Sequence, residues 1–440
     1  MVSPVLVTII LFVSMFLILA TGLPVAFSLG GLSVLSVIVF LGWDKLAMVS
    51  SSLFAQLTMP ATIAAIQFLF MAQIFQGSGM ADDLFTFARR LFGRVSGGLA
   101  IGVIFISTII AAISGISAAS TITLGVLALP IMLKIGYSKS MSVGPIMAGG
   151  ALGLLIPPSV AFCFYGALAQ VSIGRLFAGG LIPGLILSIM YIAYIWIRCH
   201  FNPSLAPPLP IEERVSLKEK IVSARALILP SLLIIFVLGS IFGGLASPIE
   251  ASSISAAGAL VCTAINRKLS YKMIGNALLS TSKFAGMISW VIVGGLCFRY
   301  VFIYSGCEIV VTNFVSMLHI APILIVVVME LVYMILGCFM DEVTMMFVTL
   351  PIFLPILRGL GLDIVWFGIL FLVNVQIAYL TPPFGFSLFY MKSVAPSDIT
   401  MIDLYKSIFP FVTIQIIVLT LVMFVPQLAL WLPNLIFGKY

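Results

Sequence analysis

Charge is what this sequence lacks. Asp, Glu, Lys and Arg supply 8% of its 440 residues while 62% are hydrophobic, and the mean hydropathy is +1.28. An ordinary soluble chain is about 25% charged, and a soluble domain cannot hide this much apolar surface. Histidine is almost absent, with His200 and His319 far apart in sequence, and the six Cys are scattered singly. Without CxxC or a metal-ligand spacing, the thiols read as structural. HExxH, GxSG and GxGD are missing, and "GLGLD" only superficially resembles the last, so an intramembrane enzyme has no signature here. No basic residue precedes the first apolar run, which predicts a retained first helix rather than a cleaved signal. The net charge is +7, but the 21 basic residues are spread over many loops, which argues against a nucleic-acid partner.

What is present is a series of apolar runs near the roughly 20 residues that span a bilayer, among them Val5 to Leu23, Val25 to Leu41, Ile182 to Ile197 and Phe409 to Leu432. The chain is therefore expected to be an all-α polytopic membrane protein in contact with lipid. Its longest polar stretch, Arg198 to Lys220, holds the one concentration of Pro and charge and reads as a hinge between two halves. The halves repeat. "LPIMLKIG" from Leu129 returns as "LPILRGLG" from Leu354, and "IPPS" from Ile156 returns as "TPPF" from Thr381, both 225 residues on. Pro24 returns as Pro248, and Ser78-Gly79 as Ser305-Gly306, at offsets of 224 and 227. The expected organisation is a first repeat over residues 1–200, a linker over 201–225 and a second repeat over 226–440.

In the first repeat, Gly97 to Lys134 consists of two short helical stretches joined at the small-residue break Ser114-Gly115-Ile116-Ser117. Arms of about 15 residues do not comfortably cross about 30 Å of hydrocarbon, so a re-entrant hairpin is predicted. The second hairpin breaks near Gly337 to Asp341, and each hairpin is followed by a helix split by Pro-Pro. Proline inside a helix removes a donor and clashes with the preceding turn. Irregular backbone at membrane depth is tolerated only where it is buried in protein or lines a wet cavity. One repeat then makes five crossings, an odd number, which inverts the second copy. Placing only Lys45, Arg175, Arg299, Arg358 and Lys439 outside leaves 16 of 21 basic residues toward the cytoplasm. The positive-inside rule then puts both termini in the periplasm. Paired broken helices in inverted repeats form binding sites near the midplane, where helix N-termini meet anions and unwound carbonyls meet Na⁺.

At these residues the chain resembles a known family. "FTFARRLFGRVSGGLA", "ISGISAASTITLG", "GLLIPPSVAFCFYGALAQVSIGRLFAGGLIPGL", "GCFMDEVTMMFVTLPIFLPIL" and "VNVQIAYLTPPFGFSLFYMKSVAP" resemble the large membrane subunit of tripartite ATP-independent periplasmic (TRAP) transporters, over nearly the whole chain. The resemblance implies a sodium-coupled secondary transporter for organic acids in the bacterial inner membrane. It also implies a small four-helix membrane subunit, a periplasmic substrate-binding protein and an elevator-type movement against a scaffold. Carried over by motif, the sodium-site residues are Ser114, Gly115, Gly153 and Pro157 at the first tip and break, and Gly337, Asp341, Thr381 and Pro382 at the second, with Asn374, Pro383 and Gly385 also matching the family there. The substrate-binding candidates are Ser117, Ser120, Ser159, Thr344 and Arg299. Ser120 stands where many relatives carry Asp.

Several of these residues have a plainer reading. Asp341 has the position of an N-cap of the outgoing hairpin helix. Ser247 and Glu250 have capping-box spacing with Pro248 at the first helical position. Arg299 could reach to headgroups rather than clamp a carboxylate, and Met340, Met345 and Met346 suit core filling. Glu330, in the incoming arm of the second hairpin, must face protein or water. The competing function is a stand-alone sodium/dicarboxylate or citrate-type carrier, which shares this architecture and needs no binding protein.

Overall fold

The computed structural model describes residues 3–21, 23–47, 53–54, 57–317, 320–382 and 385–439. His319 and Pro383, both singled out above, lie outside the described residues. Among the described residues all regular structure is helical. The first series is α1 (Pro4–Ala20), α2 (Val25–Ser36), α3 (Pro60–Gly77), α4 (Met80–Phe92), the pair α5 (Gly98–Ser114) and α6 (Ser117–Ile135), the pair α7 (Lys139–Ala151) and α8 (Val160–Ala169), and α9 (Ile173–Phe201). After the short α10 (Leu217–Ser223) the same order returns. It runs through α11 (Arg225–Phe242), α12 (Pro248–Ile265), α13 (Tyr271–Tyr304), α14 (Cys307–Met317), α15 (Pro322–Leu336) with α16 (Glu342–Gly359), α17 (Ile364–Leu380) with α18 (Phe386–Val394), and α19 (Met401–Phe424). A final helix, α20 (Gln427–Phe437), has no counterpart in the first series.

Helix starts follow local rules. Ser247 accepts from the Glu250 amide while Glu250 accepts from the Ser247 amide, a capping box with Pro248 at the first position. Ser216 with Glu219 and Thr400 with Asp403 repeat it. Eight helices among the described residues are long and apolar enough to cross a membrane, so the chain is a multi-pass membrane protein. Large apolar side chains stand exposed on α1 (Val13, Phe16), α11 (Ile235, Phe236) and α13 (Leu279, Trp290), where lipid is their solvent. By contrast, every residue of α17 from Val365 to Leu380 is buried. The broken helices form the centre; α1, α11 and α12 lie outside, while α13 packs on α16 and is more than half buried.

The two series interlock reciprocally. Helix α2 packs on α13 and α3 on α12; α6 packs on α18 and α8 on α16; α7 packs on α19 and α9 on α17. Each hairpin's outgoing arm therefore lies against the broken helix of the other series.

The arms of the first hairpin are longer than the sequence pattern predicts, with 17 residues in α5 and 19 in α6. Pro130 sits inside α6 without ending it, and the helix runs to Gly136, whose positive φ forms the stop. Length alone would let α6 span. The two outer ends nevertheless close on each other, as the Leu99 amide donates to the Tyr137 hydroxyl at 3.0 Å. The Gly97 and Ser138 amides donate to the linker carbonyls of Ala206 and Leu205, both at 2.8 Å.

The linker is strapped down rather than acting as a free hinge. Ala206 and Leu209 are buried, Arg94 donates to the Val215 carbonyl at 3.0 Å, Lys220 to that of Leu91 at 2.9 Å, and Arg89 pairs with Glu213. Its apolar residues and the basic end of α4 supply the contacts that a reading of charge and proline content could not see. Lys139, with Asp398 and Asp403 at 3.5 and 3.6 Å, ties the α18–α19 connection to the start of α7. Away from the linker, Arg175 donates to Asn434 at 2.6 Å and Arg358 to the Ala169 carbonyl at 3.1 Å.

Candidate functional site

The first break is pressed between two backbones. Gly115 ends α5 at φ +59, and a Cβ there would lie 2.8 Å from the Pro158 carbonyl oxygen and 3.2 Å from the Val160 amide nitrogen. On the other side, a Cβ on Gly153 would lie 3.1 Å from both the carbonyl carbon and the oxygen of Ile116. Only glycine gives backbone this close an approach. The chain between α7 and α8 passes through a 3₁₀ turn, Leu152–Leu154, and the Pro157-Pro158 pair, whose peptide bond is cis. Ser114, Gly115, Gly153 and Pro157 are thereby gathered at one place. Four helix ends meet there: the carbonyl ends of α5 and α7, and the amide ends of α6 and α8. Neither α6 nor α8 has a side-chain cap: the N-cap of α6 is the apolar Ile116, and Ser159, the N-cap of α8, instead donates to the Leu154 carbonyl at 2.8 Å. Uncapped first-turn amides are the groups that hold anions at helix N-termini.

The hydroxyls at this tip are buried. Ser114 and Ser120 share a hydrogen bond at 2.9 Å, and Thr121 Oγ1 is buried with no partner. Ser117 reaches Ser387 of α18 at 3.3 Å. That contact joins the first tip to the second broken helix across 270 residues of sequence. Sequence reasoning missed Ser387; its one signal was a hydroxyl four residues beyond the second Pro-Pro pair.

The second break is built differently. Asp341 does cap α16, its Oδ1 accepting from the Thr344 amide at 3.0 Å and its Oδ2 from the Thr344 hydroxyl at 2.6 Å. Thr344 thus supports Asp341 before it can serve anything else. Glu342 accepts from the Tyr379 hydroxyl, and that oxygen accepts from the Glu342 amide at 3.2 Å. Tyr379 was another residue the sequence did not single out. Gly337 abuts the Ala378 methyl position, Cys338 Sγ lies 3.9 Å from the Pro382 carbonyl, and Thr381 donates to the Ile377 carbonyl at 2.6 Å. Gly385 opens α18 at φ +32 with no side-chain cap. The carbonyl ends of α15 and α17 and the amide end of α18 therefore collect around Gly337, Thr381 and Pro382. Met345 and Met346 are wholly buried in the core and Met340 nearly so.

Arg299 is not brought to either tip. It lines a separate cleft of about 120 Å³ with Arg358, Glu308 and Gln170. Arg358 lies in the last turn of α16, 17 residues from Asp341, so this cleft is about 25 Å along the helix from the second tip.

A family model described as "Tripartite ATP-independent periplasmic transporter, DctM component" matches residues 12–428. A C4-dicarboxylate TRAP transporter large permease protein DctM of Vibrio cholerae is 31% identical over 98% of both chains. An isethionate TRAP transporter permease protein DctMQ of Oleidesulfovibrio alaskensis is 30% identical over 94% of this chain and 64% of its own length. Among solved structures, the Alcanivorax borkumensis YdaH transporter has the same fold. Its TM-score is 0.64 at 14% identity, over 87% of this chain and 88% of that one.

Proposed function

Because the chain belongs to the DctM component family of tripartite ATP-independent periplasmic transporters, and is a transport subunit rather than an enzyme, we propose that it carries small organic acids inward on a Na⁺ gradient. The observation that carries this reading is the paired engagement of hairpin tip and helix break. Gly115 closes on the backbone of Pro158 to Val160 and Gly153 on that of Ile116, and Ser117 bridges to Ser387 of the other broken helix. Such a site has what a monovalent cation and an anion need together. Helix carbonyl ends and the hydroxyls of Ser114, Ser120 and Thr121 offer oxygens, and the Thr121 oxygen has no partner within the protein. The uncapped amide ends of α6 and α8 offer positive dipole ends to a carboxylate. Na⁺ is assigned to Ser114, Gly115, Gly153 and Pro157, and to Gly337, Asp341, Thr381 and Pro382; the substrate is assigned to Ser117, Ser120, Ser159 and Thr344. Arg299, with Arg358, would receive the anion at the cleft on the way in.

The hairpins, broken helices and the helices between them form the moving part of an elevator, held against the outer helices. The relatives named for C4-dicarboxylate and isethionate both carry small anions, which supports the substrate class. A membrane partner of four helices would widen the scaffold, and a periplasmic binding protein would deliver substrate to the face bearing Arg299. The test is uptake into proteoliposomes holding the chain with its small subunit, with and without binding protein and a Na⁺ gradient. Uptake is expected only with all three, and the chain alone is expected to give none above background. Robust Na⁺-driven uptake by the purified chain alone would favour the stand-alone sodium/dicarboxylate or citrate-type carrier.

The linker side carries Arg89, Arg94, Arg214, Lys218 and Lys220, so we place it in the cytoplasm of the bacterial inner membrane, with both termini periplasmic. Single Cys probes between Pro207 and Lys220 of a Cys-free variant are then expected to resist impermeant thiol reagents added to intact spheroplasts. Labelling from outside would reverse the orientation.

A further inference from the structure

The second hairpin holds a carboxyl group that neither the tip nor the break uses. Glu330, in the middle of α15, is 4% exposed. Its Oε2 accepts from the Asn374 side-chain amide at 2.6 Å, and that same amide donates to the Glu330 carbonyl at 2.5 Å. Its other oxygen, Oε1, is buried without a partner, and so is Asn374 Oδ1. Two buried acceptor oxygens therefore have no donor within the protein.

The surroundings offer no compensating charge. Helix α15 packs on α16 and α17. From α17 the polar group is Asn374; from α16 it is Thr349, which is occupied with the Tyr333 hydroxyl at 3.1 Å. The titratable groups that sense Glu330 are Tyr333 on its own helix and Tyr165 on α8. Tyr165 is already bonded to the Ile364 carbonyl at 2.8 Å. The remaining walls are rings: Phe353, Phe367 and Phe371 pack around Tyr333, and Tyr165 stacks on Phe371 at 6.2 Å. No Lys, Arg or His among the described residues pairs with Glu330 or hydrogen-bonds to it.

An unpaired carboxylate in such a place is strongly disfavoured, and the usual escape is to become neutral. Burying acceptors without donors is rare in folded proteins. A cation the size of Na⁺ prefers a shell of several oxygens, whereas a proton needs only one and supplies the missing donor itself.

We propose that Glu330 is a proton-binding site of the second hairpin. A proton from water bonds to Oε1, the group becomes a neutral carboxylic acid, and Asn374 holds the opposite oxygen through its N–H. The bond that breaks is an O–H of hydronium, which is left as water, and no further bond forms or breaks. The consequence is that the fit of α15 against α17, directly before the second break, is tied to proton activity. This is independent of sodium coupling and of the substrate, so its test does not require transport.

The test is infrared spectroscopy of the full chain in lipid nanodiscs, with its membrane partner where one copurifies, at neutral pH in H₂O and D₂O. A carboxylic-acid C=O band that shifts downward in D₂O is expected in the wild type and lost in Glu330→Gln. In Asn374→Leu the band should persist and move upward, because its carbonyl has lost the N–H bond. ¹³C labelling of glutamate moves the band in the wild type itself and identifies it as a glutamic acid, and Glu330→Gln assigns it. Absence of any glutamic-acid band in the wild type would overturn the proposal, as would a band unaffected by Glu330→Gln. Replacement of the band by a carboxylate signal on adding NaCl would also overturn it and make Glu330 a cation ligand.

Discussion

Asp341→Asn is expected to lower the apparent Na⁺ affinity of uptake by at least tenfold, about 1.4 kcal/mol, while leaving the fold intact. The two substitutions at this position separate its two roles. As an N-cap, Asp341 gives one oxygen to the Thr344 amide and the other to the Thr344 hydroxyl. Asn caps about as well as Asp, whereas Ala loses about 0.5–2 kcal/mol. A residue that only caps would therefore leave Asp341→Asn like the wild type and Asp341→Ala less stable. A residue that also supplies negative charge to a cation would make both variants fail in coupling, with thermal stability lost only in Ala. Initial uptake rates against Na⁺ concentration, alongside melting curves, decide between them. Wild-type Na⁺ dependence in Asp341→Asn would reduce the residue to a cap.

Gly115→Ala should abolish uptake. At φ +59 an alanine already costs about 1–2 kcal/mol from its own Cβ, and here that Cβ meets the Pro158 oxygen, Ser159 Cα and Val160 nitrogen at 2.8, 3.3 and 3.2 Å. All three are backbone atoms, which cannot swing aside as a side-chain tip would. The tip must then separate from the break it is pressed against. Two comparisons isolate that effect. Gly361 has a similar φ of +66 but nothing within 4 Å of its Cβ position, so Gly361→Ala carries the conformational cost alone and should still transport. Gly153→Ala adds no left-handed strain yet places a methyl against the Ile116 backbone at 3.1 Å, and should lose most of its uptake. Unchanged transport in Gly115→Ala would mean that the contact between tip and break is dispensable.

What the sequence by itself determined was everything governed by neighbours along the chain. The break at Ser114 to Ser117, the Pro157-Pro158 interruption, the Asp341 cap and the Ser247–Glu250 capping box each depend on groups within a few residues, and each lies where the residue types require. Element order followed from the 225-residue echoes, because two copies of one unit fold into the same series of helices. What only the tertiary structure decided was which helix faces which. In a soluble protein, polarity marks the outward face of a helix; here lipid is as apolar as the core, so an inward and an outward Leu look alike. The strapped linker, the Ser117–Ser387 bridge, the Tyr379–Glu342 bond and the pairing of Glu330 with Asn374 all join residues distant in sequence. The displacement of Arg299 from the tips has the same origin, since nothing near it in the chain says which end of α16 it meets. Glycine was the partial exception. Gly115 and Gly153 were legible as break residues, but that Gly115 lies against the backbone of Pro158 to Val160 and Gly153 against that of Ile116 is a fact of packing alone.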